Sequence, residues 1–153
     1  MIRFMKTIPG ILIISTAIFF IACGKDKFET KPLIEVKSYN SKEIPQHGQL
    51  TIRLNYFDKE GDLGTGNFFA VRNRLNALPL GTSDADRPDT LRYALPEFSP
   101  EATGEIFLQL NYDDFLKESV SKNDTIVFRI AVTDKAGNKS DTITTDKIVI
   151  LIP

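Results

Sequence analysis

Cysteine and histidine occur once each in this 153-residue chain, and tryptophan is missing altogether. A single cysteine excludes an intrachain disulfide, and a single histidine excludes every histidine-rich metal site. A surplus of either charge is missing too. Nineteen basic side chains face twenty acidic ones, a net charge of −1, which argues against nucleic acid as a partner. The sequence also has no glycine-rich phosphate loop, no G-x-S-x-G elbow and no H-E-x-x-H pair. What it does have is 42% hydrophobic residues and a length that can bury one core without disulfides or a structural metal.

The N-terminus differs from the rest. Arg3 and Lys6 precede an uncharged run from Thr7 to Gly24, nearly all apolar between Ile11 and Ala22. This is the basic and then apolar organisation of an export signal. The run ends Phe20-Ile21-Ala22-Cys23, so the only cysteine sits where the apolar stretch stops. That ending resembles the bacterial lipoprotein signal. The resemblance implies removal of residues 1–22, acylation of Cys23 and a palmitate-type membrane anchor. An uncleaved anchor is the competing reading, since 18 helical residues span roughly 27 Å, just short of a hydrocarbon core. Both of these readings tether the domain to a membrane; an ordinary cleaved secretion signal is the third reading. With residues 1–22 removed, 17 basic side chains face 20 acidic ones. Residues 23–31 then form a polar tether closed by Pro32, and its eight residues after Cys23 reach about 26 Å when extended.

From residue 32 to 153 the dominant period is two, the pattern of half-buried strands. The sequence predicts strands at Leu33–Tyr39, Gln49–Phe57, Asn67–Asn73, Thr90–Leu95, Gly104–Tyr112, Asp124–Thr133 and Asp141–Ile152. Glycine, proline, asparagine and aspartate separate them, and one helical turn is expected near Asp113–Lys117. The fold class expected is all-β: a single immunoglobulin-like antiparallel β-sandwich of about seven strands after an N-terminal signal helix, with a small barrel as the main rival.

Two segments carry a further resemblance. Phe128 to Ser140, with Val132-Thr-Asp-Lys-Ala-Gly-Asn-Lys-Ser140, resembles the penultimate strand and turn of bacterial immunoglobulin-like and fibronectin-type-III-like modules. Tyr56-Phe-Asp-Lys-Glu-Gly-Asp-Leu-Gly64 resembles a turn of small Bacteroidota-type lipoproteins. They imply a fold and an envelope address, and they carry no activity with them.

Acidic loops are the first candidates for chemistry. Asp58, Glu60 and Asp62 alternate beside two glycines, and hard cations such as Ca²⁺ take six to eight oxygen ligands from loops of this kind. In sandwich topology the connection after the second strand lies at the same end as the one after the sixth. That would bring Asp134 and Asn138 beside them, a candidate structural Ca²⁺ site at the end facing the tether. Solvated turn residues are the plainer reading of the same positions. Asp84, Asp86 and Asp89 lie in a connection long for a compact β domain, the first candidate for a binding loop, with Arg72, Asn73 and Arg74 beside it. Thr90, Thr125 and Thr142 each follow an aspartate and precede an aliphatic residue, which resembles the O-glycosylation site of Bacteroidota-type exported proteins. A turn aspartate followed by a β-branched strand residue gives the same tripeptide.

Catalysis has little to stand on. His47 lies in a polar turn near Ser41 and Glu43, and Asp113-Asp114 is an adjacent acid pair whose side chains diverge on an extended strand. No catalytic residue, and no cofactor beyond the candidate Ca²⁺, is expected. The reading is a membrane-anchored bacterial envelope lipoprotein, placed first at the outer membrane, on its surface or its periplasmic side. Its role would be non-enzymatic binding, adhesion or scaffolding, with the membrane as one partner and a protein or glycan as the other. The alternatives are a surface glycan-binding accessory of a polysaccharide-uptake system and a small carboxylate-dependent hydrolase.

Overall fold

Alternation along Gln49–Phe57 places Leu50, Ile52, Leu54 and Tyr56 on one side, and all four are buried. The same rule holds on the facing strand Asp124–Thr133, where Ile126, Phe128, Ile130 and Val132 are buried and Arg129 is exposed. Side chains of period two leave each strand with one apolar face, and two such sheets cover each other. Burying a side chain such as Phe128 stabilises the sandwich by about 1.5–3 kcal/mol.

The computed structural model describes residues 31–76, 90–97, 101–117 and 122–152. The strands are β1 (Leu33–Tyr39), β2 (Glu43–Ile44), β3 (Gln49–Phe57), β4 (Asn67–Arg74), β5 (Thr90–Ala94), β6 (Thr103–Asn111), β7 (Asp124–Thr133), β8 (Ile143–Thr144) and β9 (Ile148–Ile150). One sheet has the order β1-β3-β6, and the other has the order β2-β9-β7-β4-β5 with β8 beside β7. The protein is an all-β sandwich, as the alternation predicts. Six of the seven predicted stretches coincide with single strands to within a residue or two. The seventh, Asp141–Ile152, divides into β8 and β9.

The structure departs from the expected strands in three places. The strand β2 is only two residues long and runs parallel to β9, so that sheet is mixed. Its place is fixed by distant backbone bonds, Val149 N–H to the Lys42 carbonyl and Leu151 N–H to the Ile44 carbonyl. The last strand breaks because Thr145 turns inward: its Oγ1 accepts the Phe128 N–H, replacing a ladder carbonyl. The strand β5, fourth of the long strands, pairs with β4 instead of joining β1, β3 and β6 as in the constant-type immunoglobulin order. The expected helical turn is present at Tyr112–Leu116, closed by Lys117 N–H to the Tyr112 carbonyl. It buries Tyr112, Phe115 and Leu116, and the Tyr112 hydroxyl donates to the Leu151 carbonyl at 3.0 Å.

Register fixes the polarity. Leu33 pairs with Phe57, Phe57 with Thr103, and Asn67 with both Thr133 and Ala94. The ends of β3, β5 and β7 and the starts of β4 and β6 therefore gather at the end where the chain enters β1. The ends of β4 and β6 and the starts of β3, β5 and β7 lie at the opposite end.

Candidate functional site

Asp58 follows the last residue of β3, and its N–H donates to the Ala102 carbonyl, which holds the loop against the start of β6. The chain then reverses tightly: Gly61 N–H returns to the Asp58 carbonyl, with Gly61 at φ 68°. This turn directs Glu60 into solvent and brings Asp62 back beside Asp58. Leu63, only 1% exposed, anchors the loop in the core. A second close approach locks it onto the other sheet. Gly66 packs so tightly on the end of β7 that a β-carbon there would sit 1.9 Å from the Thr133 carbonyl oxygen. Beyond Thr133, Lys135 N–H donates to the Asp62 carbonyl at 3.1 Å.

These contacts bring three carboxylates together. Asp58, Asp62 and Asp134 each offer an oxygen, and the three oxygens lie within 4.8 Å of one another. Asp58 is 0% exposed, and neither of its carboxylate oxygens has a hydrogen-bond partner; Asp62 Oδ1 is buried and unpartnered as well. The backbone N–H groups of Leu63 and Asp62 favour the charged form of Asp58, although neither makes a hydrogen bond to it. Burial outweighs them, so the Asp58 carboxyl titrates above its ordinary range, and the charges of Asp62 and Asp134 push it the same way. An ionised carboxylate taken from water without a partner costs several kcal/mol.

Asp134 is held differently. Its Oδ1 accepts the Asn138 N–H at 2.7 Å, and its Oδ2 accepts the Asn138 side-chain amide at 2.8 Å. Gly137, at φ 91°, closes this turn through its N–H to the Asp134 carbonyl. Of the five residues that the sequence proposed as a Ca²⁺ site, the structure joins three. Asn138 orients Asp134 from behind, and Glu60 stays exposed outside the group.

The other candidates disperse. Arg72 and Arg74 both have partners within the sandwich. Arg72 is buried, donates to the Phe115 carbonyl and lies over the Phe115 ring at 4.5 Å. Arg74 pairs at 2.5 Å with Asp124, which is itself fully buried. Asp84, Asp86, Asp89 and Cys23 lie outside the described residues. Of the three threonines, Thr90 and Thr142 are exposed and Thr125 is half-buried. Among the described residues no helix is long and apolar enough to cross a membrane.

His47 meets an acid that sequence proximity does not indicate: its Nδ1 lies 2.7 Å from Asp113 Oδ2, with both side chains mostly in solvent. Ser41 is turned away from this pair, accepting the Glu43 N–H and donating to the Glu43 carbonyl. The outer face of the β1-β3-β6 sheet is aromatic and charged. Phe57 and Phe107 are 48% and 50% exposed, and Arg53 lies over the Phe107 ring at 5.3 Å. A shallow hollow of about 410 Å³ opens there beside Leu33, Glu35, Asn55 and Glu105. Alternation alone leaves the faces of Phe57, Phe68, Phe98, Phe107 and Phe115 open; Phe68 and Phe115 are in the core, and Phe98 lies outside the described residues.

No protein-family profile matches this chain, and no curated protein matches it either.

Proposed function

We propose that the chain is a lipid-anchored bacterial envelope protein, held through acylated Cys23, whose sandwich is a non-enzymatic binding, adhesion or scaffold module. The polarity of the sandwich supports this reading. The chain enters at Leu33, and the ends of β4 and β6 and the starts of β3, β5 and β7 lie at the other end. A domain on a tether of about eight residues turns that end away from the bilayer, where a partner reaches it. Two or three acyl chains, at about 0.8 kcal/mol per buried methylene, hold it there durably.

A surface glycan-binding accessory is the second reading. The exposed Phe57 and Phe107 with the stacked Arg53 favour it, because aromatic faces on a flat sheet stack on sugar rings. One experiment addresses both: protease treatment of intact cells expressing wild-type protein or Cys23→Ala, followed by fractionation and immunoblotting. Wild-type protein is expected in the membrane fraction and Cys23→Ala in the soluble one. Equal membrane retention of Cys23→Ala contradicts the anchor. Digestion on intact cells supports the glycan reading, and protection until the envelope is opened removes it in favour of an envelope scaffold.

A further inference from the structure

We propose that Asp58, Asp62 and Asp134 bind a hard divalent cation, calcium first, that clamps the β3–β4 connection to the β7–β8 connection at the end where the chain enters β1. The inference is independent of the anchor. Calcium holds oxygen ligands at about 2.4 Å, so two ligands of one ion lie no more than about 4.8 Å apart. The three carboxylate oxygens meet that limit.

A cluster of acids alone would be unremarkable on a surface. Here Asp58 is completely buried, and both of its oxygens lack a hydrogen-bond partner while facing two more carboxylates. Among the described residues no salt bridge reaches any of the three. Folding therefore assembles three carboxylates, and no cationic side chain among the described residues pairs with them. A divalent ion supplies what is missing.

The donor set selects the ion. All three donors are carboxylate oxygens, with no imidazole or thiolate, so a hard cation is favoured over zinc or copper. Magnesium keeps most of its water and is bound through one or two carboxylates, whereas three carboxylates in one small pocket suit calcium. Asp62 is only half-buried, which leaves a side open to water ligands. Asn138 fixes the Asp134 carboxylate from behind, as supporting hydrogen bonds orient metal ligands elsewhere.

The test is calorimetric titration of CaCl2 into the metal-stripped full chain in detergent, with thermal unfolding in parallel. Wild-type protein is expected to bind one Ca²⁺ saturably and to melt several degrees higher when loaded. Asp58→Asn and Asp62→Asn are expected to lose at least about 100-fold in affinity, with that rise in melting temperature abolished. Glu60→Gln, exposed and outside the group, should titrate like wild type. Asp58→Asn removes an unpaired buried charge, so a cooperative melt without calcium shows that its loss of binding is not a loss of fold. No saturable binding by the wild-type protein overturns the site, as does undiminished binding by Asp58→Asn. Saturable binding of MgCl2 or MnCl2 without CaCl2 overturns the assignment to calcium.

Discussion

Asp58 is where local chemistry and the fold meet most sharply. It ends a strand as a turn aspartate would, yet it is buried among like charges. Burial, then the neighbouring carboxylates, raise its folded pKa above the ordinary 3.8. The folded state then holds the Asp58 proton to a higher pH than the unfolded chain does. Its contribution to stability is fully present below about 3.8 and is lost as pH rises through the window up to the raised folded value. In chelator, Asp58→Asn is therefore expected to be more stable than wild type at neutral pH, with the gap closing toward pH 4. Urea midpoints measured across that range check it, and a variant less stable at pH 7 contradicts it. How much of this was legible differs by residue. Asp58, Asp62 and Asp134 follow from sandwich topology, which puts two connections at one end. The alternate spacing of Glu60 is misleading because the chain turns at Gly61, and side chains in a turn do not share a face. Nor does sequence show that Asn138 spends its amide on Asp134, or that Arg72 enters the core, where Phe115 accommodates it with its carbonyl and ring.

Among elements, the long strands are plain in the sequence because period-two alternation reflects one buried face directly. The short ones are not. Glu43 and Ile44 are a strand only because Val149 and Ile150 lie beside them, about a hundred residues later. The break between β8 and β9 depends on a threonine hydroxyl replacing a carbonyl, which no pattern of hydrophobicity records. Two glycines show how the connections are held, for different reasons. Gly66 is required for space, against the Thr133 backbone, whereas Gly137 has open surroundings and is required for its positive φ. Gly66→Ala is expected to destabilise the protein by about 3 kcal/mol through overpacking against an unyielding backbone. Gly137→Ala should lose only about 1 kcal/mol, the strain of a left-handed conformation. Chemical denaturation compares them, and equal losses contradict the distinction.

For the whole molecule, one end gathers the entry of β1, the three carboxylates and the tight Gly66 contact, while the ends of β4 and β6 lie at the other. A cation bound at the first end would stiffen the sandwich where the chain enters it and leave the far end free. That separation of the two ends follows from strand order, and strand order follows from alternation and turns. The proposed envelope address rests instead on the resemblance of four residues ending at Cys23 to a lipoprotein signal. The most direct test of that claim is the intact mass of the full-length gene product extracted from bacterial membranes. The expected species is a chain lacking residues 1–22, with the mass of two or three acyl chains carried on Cys23. A membrane-extracted chain that still begins at Met1 and carries no added mass would contradict it.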